Sequence, residues 1–380
     1  MGEAMKSHLV RVHDRLRKTV LKRLLYEPKK QIAFSFDLAP LGPQLVWMYI
    51  PTKGIRLGKD EFDREVYINP LALRAAHGIV VGPTGAGKSL FVKHVLYQLP
   101  SLGINFMVFD PHSDYPILVR KLGGEVIDVR KTMFKVKAVF RNPDSRELFI
   151  KAVAALFNLS KLERASLREA IKKSRNFSEV LEKLPPGLRS ELEYPFSFIS
   201  RGEVDLDHLL EEKVPFSIDL ASMRLERPVM AEVASIVARL AIDEVTRYFW
   251  KHRATHRPRF YIVADEFHRI LAKPVDLALE VLQETRKIGV YLIAVSQSLT
   301  HFSSDYFKQV GFIVALTLDE ESVEQLRALC RKTITEVDEI FITTSSPTEE
   351  FFPEKALLVL TGYRKVIRVK LDINEEVLEY

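Results

Sequence analysis

One eight-residue segment, Gly82-Pro-Thr-Gly-Ala-Gly-Lys88-Ser89, constrains the fold of this chain more than any other. The apolar run Gly78–Val81 before it has the character of a buried strand, and Leu90–Tyr97 after it has a helical pattern. Glycines let the backbone curl so that successive N–H groups point inward, and the new helix adds its positive amino end. A glycine-rich turn with an incidental Lys-Ser is the alternative, but it leaves the flanking strand and helix unexplained. The segment therefore predicts a phosphate-binding loop.

The residues of this loop have distinct expected roles. Lys88 would reach the β- and γ-phosphates of ATP, and the Ser89 hydroxyl would be a ligand of Mg2+. ATP and Mg2+ are therefore the predicted cofactors. The residues expected to bind the nucleotide are Gly82, Pro83, Thr84, Gly85, Ala86, Gly87, Lys88, Ser89 and Leu90.

Short apolar runs alternate with longer helical stretches from residue 77 onward. Such runs suit a parallel sheet that helices bury on both faces, so they predict an α/β fold with a mainly parallel sheet. The expected strands are His77–Val81, Asn105–Phe109, Pro215–Leu220, Phe260–Ala264, Val290–Val295 and Phe312–Leu316.

The pattern divides the chain into four regions. Residues 1–27 predict a basic amphipathic helix, because apolar residues recur there at spacings of three and four between basic ones. Residues 28–70 predict a small β-rich region, with strands over 31–38 and 44–50 and a strand pair over Arg56–Asn69. Residues 71–380 would form the core, and the highly charged, helical stretch 142–212 would be an α-helical subdomain inserted in it.

A pair of carboxylates ends the expected strand Phe260–Ala264. Asp265 would hold Mg2+ through its water shell, and Glu266 would orient and deprotonate the attacking water. The two acids could instead begin a helix, as an N-cap followed by a favourable first-turn charge. The phosphate-binding loop elsewhere in the chain favours the catalytic interpretation.

Two further polar segments have candidate roles. Gln297 follows the strand Val290–Val295 and is placed to sense the γ-phosphate or the water, although a surface glutamine after a strand is also common. Arg286 and Lys287 end a helical stretch before Gly289. They could be an ordinary helix end with a glycine cap, or supply an arginine finger to the nucleotide of a neighbouring subunit.

Composition limits the cellular location and the binding partners that we expect. No apolar run approaches the ~18 residues of a membrane span. The single cysteine, Cys330, excludes an internal disulfide, so a reducing, cytoplasmic location is expected. Residues 1–30 hold nine basic and three acidic side chains, which accounts for the whole net charge of +6. A basic arm of this kind suits a phosphate-rich polymer, and a solvated helix with a basic face is the equal alternative.

The order of motifs resembles the HerA–FtsK superfamily of DNA-pumping ATPases, and within it the HerA-like branch. The resemblance covers about residues 54–370, with a shorter β region where HerA proteins have an N-terminal β-barrel. Besides the phosphate-binding loop, the matching features are His77, Val108-Phe-Asp-Pro-His-Ser-Asp-Tyr115, Phe216-Ser-Ile-Asp-Leu-Ala, Val263-Ala-Asp-Glu-Phe-His, Glu284-Thr-Arg-Lys-Ile-Gly-Val and Ala294-Val-Ser-Gln297.

This resemblance implies a RecA-like P-loop core that assembles as a hexameric ring, with double-stranded DNA in the channel and ATP between subunits. It implies that Glu266 is the catalytic base, that Gln297 is a sensor and that Arg286 is the best candidate finger. Asp110 and Asp114 match a family position beside the nucleotide, with no role assigned by their chemistry.

Three functions are compatible with these features. The leading one is an ATP-driven motor that moves double-stranded DNA for repair, packaging or transfer, with a nuclease or transfer machinery as a possible partner. The second is an ATPase that powers secretion, conjugation or pilus assembly without pumping DNA. The third is a scaffold that binds ATP and turns it over slowly, and Glu266 argues against it.

Overall fold

One large sheet organises the part of the chain that the computed structural model describes: residues 53–73, 75–200, 202–223, 228–252, 257–271, 275–330, 334, 336–343, 354–361 and 365–378. The strands are β1 (Ile55–Asp60), β2 (Glu65–Ile68), β3 (His77–Val81), β4 (Asn105–Asp110), β5 (Glu125–Asp128), β6 (Met133–Phe134), β7 (Gly202–Val204), β8 (Phe216–Asp219), β9 (Phe260–Ala264), β10 (Val290–Ser296), β11 (Val310–Ala315), β12 (Lys355–Leu360) and β13 (Lys365–Leu371).

Helices connect these strands. They are α1 (Lys88–Gln98), α2 (Pro116–Lys121), α3 (Ala138–Arg141), α4 (Pro143–Leu156), α5 (Lys161–Lys172), α6 (Phe177–Lys183), α7 (Pro186–Ile199), α8 (Leu206–Glu211), α9 (Pro228–Lys251), α10 (Phe267–Ile270), α11 (Val275–Arg286), α12 (Ser304–Phe307), α13 (Glu320–Cys330), α14 (Glu336–Thr343) and α15 (Glu375–Leu378). Among the described residues, none of these helices has the length and apolar character needed to cross a membrane.

Within the described residues, this sheet has eleven strands in the order β2-β1-β13-β12-β11-β3-β10-β9-β4-β8-β5. The half from β11 to β5 is parallel, and the half from β12 to β2 is antiparallel. The expected α/β fold with a mainly parallel sheet is confirmed. Each of the six expected strands is present, with its ends shifted by at most two residues.

Both faces of the parallel half are buried, which explains its continuous apolar runs. Successive residues of β3 alternate between the two cores: Ile79 and Val81 lie in one, and Val80 lies in the other. Helices α1 and α2 cover the face of Val80, and α9 covers the opposite face. Burial on both sides holds the strand that leads into the glycine-rich loop.

The described part of the expected β region belongs to the core sheet. Strands β1 and β2 form the expected strand pair, which is antiparallel, and β1 also pairs with β13, where Gly58 lies opposite Leu371. This arrangement differs from the expected boundary at residue 70. Strand β13, which lies more than 300 positions away in sequence, pairs with β1 and so includes β1 and β2 in the core sheet. The expected helix over 1–27 and the strands over 31–38 and 44–50 lie outside the described residues.

The expected insertion, residues 142–212, contains helices α4 to α8 and the short strand β7. Local signals set the helix starts: Asn142 caps α4, and Ser160 with Glu163 forms a capping box on α5. Its buried apolar side chains join the core under α9. Lys137 pairs with Asp205 and Asp207 at 2.7 and 3.1 Å at the base of this region.

Candidate active site

The carboxyl ends of four parallel strands meet at one edge of the sheet, where most of the predicted site residues lie. Val81 at the end of β3 lies opposite Ser296 of β10, and Ala294 of β10 lies opposite Ala264 of β9. Phe109 of β4 is in turn opposite Ala264. The loops after these strands therefore begin side by side, and they carry the glycine-rich segment, Gln297, the two carboxylates and the Asp110 loop.

The glycine-rich loop has the geometry of an anion cradle. Gly85 and Gly87 have φ values of +84° and +77°, which side chains disfavour, so the glycines are needed for this path. A side chain at Gly82 would come within 3.1 Å of the Ala86 side chain. In the described structure α1 begins without a side-chain cap or an acidic residue in its first turn. Its first N–H groups and positive end therefore suit a phosphate.

Lys88 lies across this loop, because its Nζ donates a hydrogen bond to the Pro83 carbonyl at 2.9 Å. The side chain is largely buried. Burial lowers the pKa of the Lys88 ammonium, and the nearby carboxylates of Glu266 and Asp265 oppose that effect. The ammonium thus stands between the loop and the two acids. Ser89 follows in the first turn of α1 and is half-buried.

Asp265 and Glu266 are both buried at the end of β9, with 3% and 6% of their surfaces exposed. Burial raises the pKa of Asp265, while hydrogen bonds from the Tyr115 hydroxyl and the Glu266 N–H lower it. Glu266 has a φ of +48° in the left-handed region, which costs a non-glycine residue about 1–2 kcal/mol. A strained backbone that holds a buried carboxylate is typical of a functional position.

Gln297 lies against Glu266. Its Nε2 donates to the two Glu266 carboxylate oxygens at 3.2 and 3.3 Å. The structure therefore brings Lys88, Asp265, Glu266 and Gln297 to one edge, with the amide on the expected base. This edge fits a nucleoside triphosphate and Mg2+, because it holds buried acidic oxygens, a cation and the uncapped start of α1. Ser89 and Asp265 are the residues that would hold the metal.

Sequence reasoning missed three neighbours of the carboxylates. His268 Nε2 lies 3.5 Å from Glu266 Oε2, and Arg269 Nε lies 3.7 Å from the same oxygen. Tyr115 donates its hydroxyl hydrogen to Asp265 Oδ2 at 2.8 Å. His268 and Arg269 follow the acidic pair after one intervening residue, Phe267, so a helical turn after the strand would have suggested them. Tyr115 is 150 positions from its partner in sequence. The sequence signal for it was its place at the end of the motif Val108–Tyr115.

Asp110 organises the loop after β4. Its two carboxylate oxygens accept hydrogen bonds from the backbone N–H groups of His112, Asp114 and Tyr115 at 3.0–3.2 Å. Burial raises the pKa of Asp110 to about 6, and the backbone N–H groups of Tyr115 and Asp114 oppose the rise. These contacts place the Asp110 carboxylate on backbone N–H groups of its own loop.

Arg286 is the predicted site residue that the structure does not bring to this edge. It ends α11, four residues before β10 begins, so it lies at the amino edge of the sheet. Seven residues of β10 separate the two edges, which is roughly 20 Å. An arginine side chain cannot cross that distance, so Arg286 cannot contact a nucleotide in the loop of its own chain.

His77 connects α11 with the strand that leads into the loop. The ring is fully buried, its Nδ1 accepts the Leu292 N–H of β10 at 2.9 Å, and its Nε2–H donates to the Leu282 carbonyl of α11 at 3.0 Å. Burial, together with the positive charge of Arg286, lowers the pKa of His77 to about 3, although the hydrogen bond to the Leu282 carbonyl opposes that shift. His77 is thus a neutral anchor between β3, β10 and the helix that carries Arg286.

The fold and the loop together define a RecA-like P-loop nucleotide-binding protein. The family model described as "Helicase HerA, central domain" matches residues 55–200. This match confirms the resemblance to HerA-like ATPases that the motif order indicates. A search of curated protein sequences finds no match.

Solved structures share this fold at low sequence identity. VirB4 of Thermoanaerobacter pseudethanolicus is similar with a TM-score of 0.69 and 16% identity, over 87% of this chain and 99% of that chain. The bacterial conjugative coupling protein TrwB, in a form that is described as TrwBdeltaN70, is similar with a TM-score of 0.62 and 14% identity, over 86% of this chain and 91% of that one. The plasmid coupling protein TrwB in complex with ADP and Mg2+ is similar with a TM-score of 0.59 and 14% identity, over 88% and 93%. These likenesses confirm the RecA-like P-loop fold.

The buried position of His77 predicts that its ring stays neutral in mild acid. We expect its ring 15N shifts in NMR spectra to remain those of a neutral ring protonated at Nε2 from pH 8 down to pH 5, with His77→Gln used to assign the signals. Because its pKa lies below the value of about 6.5 in an unfolded chain, its stabilising contribution is full above that pH and is lost as the pH falls toward 3. Titration of this ring near pH 6.5 would contradict the burial.

Proposed function

We propose that this chain is an ATP-driven motor that moves double-stranded DNA through a homohexameric ring, in repair, packaging or transfer. The observation that carries the proposal is the arrangement at the carboxyl edge of the sheet. There the uncapped start of α1, the Lys88 ammonium and the buried carboxylates lie together, and the Gln297 amide contacts Glu266. A site that only bound nucleotide would not need a strained, buried acid beside a sensor amide.

Two kinds of likeness support this function. The matching family model is named for a helicase. The coupling protein TrwB shares the fold and was solved with ADP and Mg2+. The basic excess of residues 1–30 adds support from the sequence, because a protein that tracks DNA needs cationic contacts with the phosphate backbone.

Each residue of the site has a proposed part in ATP hydrolysis in the cytoplasm. The loop from Gly82 to Leu90 binds the phosphates, and Lys88 exchanges the Pro83 carbonyl for phosphate oxygens. Ser89 would hold Mg2+ directly, and Asp265 would hold it through water. Bound Mg2+ would neutralise charge on the phosphates. Glu266 accepts the proton of the attacking water, and Gln297 orients that water or senses the γ-phosphate.

The proposed function includes a hexameric ring of subunits because of the position of Arg286. An arginine at the amino edge cannot serve the nucleotide of its own chain, but it can reach one in a neighbour if subunits pack head to tail around a closed ring. His77 holds α11, and so Arg286, to the strand that ends in the loop. Arg286 is thus the proposed finger, and Lys287 is the second candidate.

The alternative function is an ATPase that powers a secretion, conjugation or pilus-assembly machine without pumping DNA. The likeness to the bacterial conjugative coupling protein TrwB, which extends over 91% of that chain, is the observation that favours it. Both functions use the same hydrolytic site, so the response to DNA separates them.

ATP turnover is expected to rise several-fold when linear duplex DNA is added. The stimulation should fall steeply as salt increases from 50 to 200 mM, because each phosphate contact releases about one condensed counterion. Steady-state ATPase assays over this salt series measure it, with Glu266→Gln as the matched control that should bind ATP without hydrolysing it. ATP turnover that does not change with DNA at any salt concentration would reject the DNA motor and favour the alternative function.

Mixing two inactive variants tests whether Arg286 acts on a neighbour. Arg286→Ala and Glu266→Gln subunits should each be inactive alone, but about one interface in four of an equal random mixture would join an intact Glu266 to an intact Arg286. We therefore expect ATPase activity to return in mixed rings.

The same mixture made with Lys287→Ala distinguishes the two cations. Lys287 is exposed and pairs with Glu284 at 2.7 Å, so its loss alone should reduce activity little. Mixtures of Arg286→Ala and Glu266→Gln that stay inactive at every ratio would exclude Arg286 as a finger in trans.

A further inference from the structure

A buried phenol joins the loop after β4 to the carboxylate at the end of β9. Tyr115 is fully buried, and its hydroxyl donates to Asp265 Oδ2 at 2.8 Å. The other oxygen of the same carboxylate, Oδ1, accepts the Glu266 N–H at 2.9 Å. Both oxygens of Asp265 are therefore held, one by the next residue in the chain and one by a residue of a different loop.

The loop that carries Tyr115 is itself rigidly built. Asp110 accepts three backbone N–H groups within it, including that of Tyr115 at 3.0 Å, and its own carbonyl accepts the Leu220 N–H at 2.8 Å. Ser113 has a φ of +61°, and its hydroxyl donates to Asp219 at 2.8 Å. The position of the phenol is thus fixed by contacts with the neighbouring strand β8 as well as by its own loop.

The chemistry of the phenol suits a permanent donor. A tyrosine hydroxyl keeps its proton at physiological pH, so it can donate a hydrogen bond there. The ring lies in the same apolar core as α1 and β3. Tyr115 therefore offers Asp265 a hydrogen bond of constant direction, in a place where water would otherwise have to supply one.

We propose that Tyr115 is the positioning residue of the magnesium site: its hydroxyl fixes the Asp265 carboxylate in the orientation that receives the hydrated metal. This inference rests on the proposed ATP and Mg2+ site. Asp110 acts one step further away, because it shapes the loop that places the phenol.

Tyr115→Phe removes only the hydroxyl and tests the proposal. Binding of a fluorescent ADP analogue in the presence of EDTA should be unchanged within about twofold. The Mg2+ concentration that half-saturates the metal-dependent gain in affinity should rise about tenfold, as expected for a lost hydrogen bond to a charged group. ATPase activity should recover at high Mg2+, which a general loss of structure would not allow.

Tyr261→Phe is the matched control. Tyr261 is an equally buried tyrosine near the start of β9, and its hydroxyl donates to the Ala76 carbonyl at 2.9 Å, at the opposite edge of the sheet. The Tyr261→Phe variant loses the same hydroxyl group from the same sheet, so its Mg2+ response should match that of the unaltered protein. Thermal unfolding of both variants reports any common loss of stability.

Asp110→Asn provides a second test if Tyr115→Phe fails to fold. An amide keeps one acceptor oxygen in place of two, so it loosens the loop without removing the phenol. It should shift the Mg2+ response in the same direction by a smaller factor. An unchanged Mg2+ response in a folded Tyr115→Phe protein would overturn the positioning role. An unaltered protein without any Mg2+-dependent nucleotide binding would instead reject the proposed site itself.

Discussion

The parallel pairing of β3 with β10 is the contact on which the candidate site depends. It sets Val81 beside Ser296, so the glycine-rich loop and Gln297 begin at the same level. The Gly82 N–H then donates to the Ser296 carbonyl, which extends the pairing one residue into the loop. On the far side β9 pairs with β10 in the same sense and delivers the carboxylates. A shift of one residue in either pairing would turn these side chains away from each other.

Burial gives this edge its electrostatic character. Lys88, Asp265 and Glu266 are all withdrawn from water, and burial shifts the pKa of Lys88 down and that of Asp265 up, each toward its neutral form. Opposite charges and directed hydrogen bonds work against those shifts. A site arranged in this way has its charges fixed before any ligand arrives, so it does not need to reorganise when charge develops.

Much of this arrangement could be predicted from sequence, because local patterns encode it. The apolar runs predict the buried parallel strands, and the segments that follow them predict Lys88, Asp265, Glu266 and Gln297 as edge residues. The pairing of β1 with β13 and the contact of Tyr115 with Asp265 could not be predicted, since each joins segments far apart in the chain. The strain at Glu266 was equally hidden, because an Asp-Glu pair after a strand does not reveal the φ of its second residue.

Because Arg286 lies away from the other site residues, we propose that one chain holds an incomplete hydrolytic site. Cryo-electron microscopy of the protein with a non-hydrolysable ATP analogue, Mg2+ and duplex DNA tests this claim most directly. We expect closed rings with nucleotide in each glycine-rich loop and the guanidinium of a neighbour's Arg286 at the γ-phosphate. Nucleotide bound in isolated chains, or rings in which Arg286 lies away from every nucleotide, would contradict it.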